Sequence, residues 1–346
     1  MRGWWSGGAL LFLAMMMVAR AQDVPLSLTL PTDNTALLRG DNEHFYQVVE
    51  RNLHGEISYP WQGGQYGFVR DPRQLAGQTV YTRFHEGMDI RPMRRDGRGE
   101  PLDEVRAMAD GKVVYTNQGA GASNYGRYVV VEHRWGGCPY YSLYAHLSTI
   151  AVEVGQGVRQ GEKLAIMGHT GSGINRERAH VHVELNLLLN DHFEAWHDAV
   201  FRGTPNRHGI YNGLNLAGLD LPRFILALRN DSTLTIPAFL SREQVFYKVV
   251  IPNSPDFQLL QRYPWMIERR PNGKPAAWEI SFTRSGFPLR LSPSDRALTA
   301  AEVSYVKPSP VDARYLTGHL AGRGRNVHLT ESGKAYMRLL SFPDER

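Results

Sequence analysis

Between Gln65 and about Leu189 the apolar positions of the chain gather into short runs rich in Val, Tyr and Ile: Lys112–Thr116, Arg127–His133, Tyr140–Ala145, Lys163–Met167 and His180–Leu185. Runs of this length separated by Gly-rich turns predict strands. Their regular spacing, with no helical stretch between them, predicts an antiparallel sheet or sandwich rather than βαβ units. Gly155-Gln156-Gly157 and the stretch from Gly168 to Gly173 read as hairpin-closing loops. Gly119-Ala120-Gly121 lies between two strands and opens no helix, which excludes a dinucleotide-binding loop. Upstream, Asn42 to Leu53 predicts a short amphipathic helix, and a turn follows from Tyr59 to Gly64. After about residue 200 the pattern changes. Pro222–Leu228, Ser241–Val250 and Thr299–Val306 read as short helices or strands. Thr330-Glu331-Ser332-Gly333 opens a final helix running to Leu340, and Trp265, Trp278, Phe282 and Phe287 supply a small core. The expected fold is mainly β: an antiparallel core over residues 59–200, preceded by an extension over 22–58 and followed by an additional C-terminal α+β region over 201–346.

The longest uncharged apolar run, Ala9 to Val18, changes the picture of the first 21 residues. Arg2 precedes it, and Ala19-Arg20-Ala21 places small residues where a signal peptidase reads them. A membrane span needs roughly 20 apolar residues, so a cleaved signal peptide over 1–21 is expected, with Gln22 as the mature N-terminus. No Cys follows to carry a lipid, and no second segment is long and apolar enough to span a bilayer. The expectation is an exported protein, periplasmic or extracellular. The full chain has 39 basic and 34 acidic side chains; losing Arg2 and Arg20 leaves a mildly basic +3. The densest basic stretch, from Arg91 to Arg98, is diluted by Asp96, Glu100, Asp103 and Glu104, so it reads as a solvated loop rather than a nucleic-acid stripe. The single cysteine, Cys138, excludes an internal disulfide and the Cys-rich zinc folds. Any metal must be held by His and carboxylate.

Thirteen histidines are present, and three local patterns suit the β texture. His85 and Asp89 are four apart, so on one extended strand they share a face. His180 and His182 share a face by the same period, with Val181 and Val183 turned to the other layer. In Tyr144-Ala145-His146 the polar pair is expected on one face. Two imidazoles and a carboxylate suit a catalytic zinc, which keeps a fourth position for water. Such a metal lowers the pKa of water from about 15.7 toward roughly 7 and polarises a carbonyl. Neighbouring histidines would then supply a proton acceptor and an oxyanion donor. Which of His180 and His182 would be the ligand, these patterns leave open. The HExxH arrangement is excluded because Asp89 stands where its second His belongs. His192 and His197, five apart, do not converge on a helix. These two, with His44, His54, His133, His208, His319 and His328, read as ordinary surface or partly buried histidines.

Three segments together resemble the lysostaphin/LytM-type zinc metallopeptidases, which are peptidoglycan endopeptidases: Phe84-His85-Glu86-Gly87-Met88-Asp89-Ile90, Tyr144-Ala145-His146-Leu147 and Ala179-His180-Val181-His182-Val183-Glu184-Leu185. Gly67 to Arg70, Ala109 to Val113, Gly155 to Glu162 and Met167 to Gly171 agree in order and spacing, so the resemblance covers roughly residues 59–190. It implies one Zn²⁺ per chain held by His85, Asp89 and His182. It also implies that His146 and His180 stand beside the metal without ligating it, activating water and stabilising the transition state. The substrate so implied is the peptide crosslink of cell-wall peptidoglycan. The chain departs from the family pattern at Ile174 to Ala179, at an inserted loop over 92–105 and at the Gly136 to Pro139 hairpin, all flanking the substrate groove. The competing reading is a non-catalytic wall-binding or hydrolase-activating module, against which the intact set of His85, Asp89, His146, His180 and His182 argues.

Overall fold

The computed structural model describes residues 26–342; the expected signal peptide lies outside them. Among the described residues no helix is long and apolar enough to cross a membrane. The fold is mainly β, and every strand pairing that positions the site is antiparallel. The main sheet runs, in order, through Gly157–Val158, Gly111–Asn117, Tyr128–Trp135, Cys138–Ala145, Val181–Leu188 and Leu216–Gly218. Met88–Ile90 is its seventh strand and pairs with the first half of Val181–Leu188. Each of the five expected strands is present within two or three residues of its predicted bounds, and Lys163–Met167 agrees at both ends. That strand sits in a second, three-stranded sheet between Leu147–Ile150 and Glu104–Arg106.

The Val181–Leu188 strand explains how the sheet carries chemistry. Val181, Val183, Leu185 and Leu187 alternate into the main apolar core, each worth about 1.5–3 kcal/mol of burial. The opposite face holds His182, Glu184 and Asn186, also buried. Polar groups buried on a face must find partners, and here they find one another: His182 Nε2 and Asn186 Nδ2 donate to the two oxygens of Glu184 at 2.7 and 2.9 Å.

Two local expectations are corrected. The helix predicted from Asn42 to Leu53 is one turn, Asn42–Phe45, capped by Asp41. Tyr46 then bridges to Ile90 and Gln47 donates to the Asp89 carbonyl, so the chain is drawn extended along the sheet edge. The C-terminal aromatics Trp278, Phe282 and Phe287 belong to the same apolar cluster as the main sheet, which runs from Ala36 to Leu340. Leu216–Gly218 extends the main sheet from beyond residue 200. The second half also contains a four-stranded antiparallel sheet and the helix Glu331–Ser341, whose Thr330 cap accepts from Gly333 N.

His133 and His319 prove to be core histidines. Burial pushes each imidazole down to about 4, and His133 is further tied to Asp110 O and Ser142 Oγ at 2.7 Å each. The unfolded rings take a proton near pH 6.5 and the folded ones only near 4. The stability their neutrality contributes is therefore full above about pH 6.5 and lost as pH falls toward 4. Thermal melts should drop through that window, and the drop should shrink in the His133→Gln/His319→Gln double variant; an unchanged slope would contradict this account.

Candidate metal centre

Met88–Ile90 alternates as the sheet demands: Met88 and Ile90 enter the core while Asp89 faces the other way, directly across from His182. His85 arrives by a different route from the one expected. It ends the strand Gln78–His85, which pairs in a separate hairpin with Gly67–Leu75, and the chain breaks at Glu86-Gly87 before Asp89. The pair therefore converges across a turn and not along one strand. Gly87 makes the turn possible: a Cβ there would lie 2.3 Å from the Val183 carbonyl and 3.0 Å from His182 Cε1.

The expectation for Tyr144 and His146 is also corrected. Tyr144 lies opposite Val183 and enters the main core, where its hydroxyl accepts from Met108 N at 2.8 Å. His146 escapes the same face because its φ is +63°, a left-handed conformation uncommon for a non-glycine residue. The twist ends the alternation and returns the imidazole to the His182 side, with its ring centroid 4.7 Å from that of His180 and 5.9 Å from that of His182. Backbone strain of this kind gathers at working sites.

His85, Asp89 and His182 present three buried donor atoms to one point. His85 Nε2 and His182 Nδ1 are 2.9 Å apart, and Asp89 Oδ1 is 3.0 and 2.9 Å from them. The outer atom of each group is already committed. His85 Nδ1 donates to Gln65 O at 2.7 Å, His182 Nε2 donates to Glu184 at 2.7 Å, and Asp89 Oδ2 accepts from Arg70 at 2.6 Å. When both imidazoles carry their protons on the outer nitrogens, as they would with a metal bound, each turns a lone pair inward, an arrangement that suits a cation between them. Donors around a tetrahedral zinc lie roughly 3.3 Å apart, so the triangle needs to open by only a few tenths of an ångström. The residues fit a divalent metal.

The electrostatics agree. Burial opposes charge on Asp89, but His85, His180 and Arg70 hold its carboxyl well below the usual carboxylate range. Burial likewise opposes a charged His182, yet hydrogen bonds to Asp89 and Glu184 outweigh it and raise the ring to about 10. The position thus attracts a cation. His146 and His180 are pushed down, first by burial, His146 further by His180 and His182. Their outer nitrogens donate to Thr170 O at 2.9 Å and Arg178 O at 2.7 Å, which leaves Nε2 of each as an acceptor. His180 Nε2 is 3.5 Å from Asp89 Oδ1.

The centre opens into a cleft of about 720 Å³, lined among others by Arg70, Glu86, Tyr125, Arg178, His208 and Asn212. His208, read from sequence as an ordinary histidine, lies on this wall with its Nδ1 3.2 Å from Tyr115 Oη. Arg70 and Glu184 were given no role from the sequence. For Glu184 a signal existed, since period-two alternation puts it on the His182 face; Tyr125 Oη also donates to it, at 2.7 Å. Losing the partner of a ligating histidine typically costs 10–100-fold in metal affinity. Glu184→Ala should therefore weaken zinc by about that factor in a chelator competition, and wild-type affinity would show that Glu184 does not orient His182.

A family profile described as Peptidase family M23 matches residues 83–193, which contain all five candidate residues. Lipoprotein NlpD of Yersinia enterocolitica is 36% identical over 75 residues, 22% of this chain and 69% of that one. The chain belongs to peptidase family M23. The peptidoglycan DD-endopeptidase ShyA of Vibrio cholerae is 36% identical over 116 residues, 33% of this M23 chain and 23% of its own. The murein hydrolase activator NlpD of Escherichia coli is 37% identical over 92 residues, 27% and 21% of the two chains. The chain spans less than a third of the length of the curated relatives it matches first. The LytM/lysostaphin resemblance drawn from the motifs and the M23 match agree.

Proposed function

We propose that this M23 chain is an exported zinc endopeptidase that hydrolyses the peptide crosslinks of cell-wall peptidoglycan. The observation that carries the reading is the inward-facing triangle of His85 Nε2, Asp89 Oδ1 and His182 Nδ1, each held from behind by its own partner. These three residues would hold the ion. Zinc there supplies Lewis acidity, lowering the pKa of water and polarising the scissile carbonyl. His146 and His180, both neutral near pH 7 because burial depresses them, supply the remaining chemistry. Each offers a bare Nε2 to the cleft, able to take a proton from the attacking water and return it to the leaving amine. Once protonated, the same nitrogen donates to the developing oxyanion. Contacts from half-buried Arg70 and buried Glu184 keep Asp89 and His182 oriented.

A second reading is favoured by the likeness to murein hydrolase activators: the same scaffold would dock on another hydrolase without cutting. Against it stands the complete set of five residues, which a docking surface does not require. One experiment separates them. Purified sacculi are digested with the full chain alone and the soluble fragments identified by mass spectrometry. The enzymatic reading expects crosslinked fragments to yield monomers with free termini, and intact sacculi after exposure to zinc-loaded protein would overturn it.

A further inference from the structure

The outer nitrogens of the two non-ligand histidines are both oriented by carbonyls of the stretch between Gly168 and His180, but the two carbonyls are held differently. Thr170, whose carbonyl accepts from His146, is fixed by the sheet: its Oγ1 donates to Leu147 O at 2.8 Å and accepts from Arg127 N at 3.0 Å, and Gly171 N donates to Ala120 O at 3.0 Å. Arg178, whose carbonyl accepts from His180 Nδ1, belongs to a small turn in which Arg178 N donates to Asn175 O at 3.1 Å and Ala179 N to Arg176 O at 3.2 Å. That turn is gripped from outside by the inserted loop. The Arg95 guanidinium donates to Arg176 O at 2.8 Å and Glu177 O at 3.2 Å while also holding Gly99 O of its own loop at 2.8 Å. In return Arg176 donates to Glu100 Oε1 at 2.7 Å and Arg98 O at 2.9 Å. Glu100 Oε2 lies 3.0 Å from His169 Nε2.

The gripping loop is itself rooted. Buried Asp103 accepts from Met93 N and Arg94 N at 3.0 Å each, and its carbonyl accepts from Met167 N at 2.9 Å on the neighbouring strand. Asp96 Oδ1 accepts from Arg98 N and Glu100 N at 2.8 Å each.

We propose that the inserted loop, through Arg95 and Glu100, is a clamp that positions His180 by fixing the Arg178 carbonyl, whereas Thr170, whose carbonyl orients His146, is anchored separately through its hydroxyl to Leu147 O and Arg127 N. This rests on the reading of His180 as a working residue. The carbonyl sets both the tautomer and the tilt of the ring, and a displacement of about 1 Å at a reacting group can cost 10²-fold in rate. Arg95 and Arg176 are solvent-exposed and Glu100 is half-buried, and surface contacts of this kind contribute little to global stability. Arg95 and Glu100 contact none of the three proposed ligands and do not line the cleft, so they are positioning residues.

The test uses full-length Arg95→Ala and Glu100→Gln on a crosslinked muropeptide. Expected are unchanged zinc content and melting temperature, kcat lowered by roughly ten- to a hundredfold, and KM near wild type. Adding Arg95→Ala to His180→Ala should cause no further loss, whereas adding it to His146→Ala should cause the full loss. In ¹⁵N-imidazole spectra His180 should pass from the Nδ1–H tautomer to a mixture in Arg95→Ala. Wild-type kcat in both clamp variants, or an equal loss on the His180→Ala background, overturns the proposal. If the wild type cuts no muropeptide, the enzymatic reading fails instead. The tautomer comparison then decides the clamp on its own: an unshifted His180 signal overturns it and a mixed one supports it.

Discussion

Asp89→Ala is expected to lose both the metal and the activity while keeping the fold. Asp89 contributes the only negative charge among the three donors, and its Oδ1 stands 2.9–3.0 Å from both ligating nitrogens. Without it, a site of two neutral imidazoles must hold a dication with the Arg70 guanidinium left beside it unpaired. Arg70 Nη2 now lies 2.6 Å from Asp89 Oδ2, so the carboxylate both attracts the ion and neutralises a cation that would repel it. Structural zinc sites are worth about 10–16 kcal/mol in all. Removing one of three protein ligands together with the counter-charge should lower affinity by several orders of magnitude. Asp89→Asn should fare little better, because the amide keeps the shape but not the charge. The backbone around Asp89 is anchored independently, by the pairing of Asp89 with His182 and of Tyr46 with Ile90, so the circular dichroism spectrum should be unchanged. Full zinc in purified Asp89→Ala would show that this residue is not a ligand.

The second large effect separates the two histidines of the His180-Val181-His182 segment. His180→Ala should keep its zinc and lose about 10²–10⁴-fold in kcat, the usual worth of a positioned acid–base group. The geometry gives the reason for the division. His182 Nδ1 is within 2.9 Å of both other donors and is backed by Glu184, whereas His180 Nε2 is 3.5 Å from Asp89 Oδ1 and is backed by a backbone carbonyl. His182→Ala, by contrast, should empty the site. If His180→Ala loses the metal and His182→Ala retains it, the roles are reversed.

The sheet was legible because its strands obey simple alternation. Met88 and Ile90 in the core with Asp89 out, and Val181 and Val183 in with His182 out, follow from period two. What alternation could not supply were the places where the chain breaks it. His85 reaches Asp89 across a glycine turn, and His146 reaches the site only by adopting a left-handed backbone that its identity does not announce. The division of His180 from His182 depends on which ring meets Asp89 across strands distant in sequence, and so came from the motif resemblance. Arg70 was invisible for the same reason: nothing in its spacing shows that it lies against Asp89, nineteen residues away. The helix expected after Asn42 failed because a free sheet edge beside Ile90 offered Tyr46 and Gln47 better hydrogen bonds than another helical turn.

The central claim is that His85, Asp89 and His182 hold a zinc that drives hydrolysis of a peptidoglycan crosslink. The most direct measurement is digestion of a purified crosslinked muropeptide dimer in ¹⁸O-labelled water by full-length protein that is zinc-loaded, chelator-stripped, or stripped and reloaded. The account predicts monomers carrying one ¹⁸O in the newly formed carboxylate with the loaded and reloaded protein, and intact dimer with the stripped protein. Intact dimer in the presence of stoichiometrically loaded zinc would contradict it.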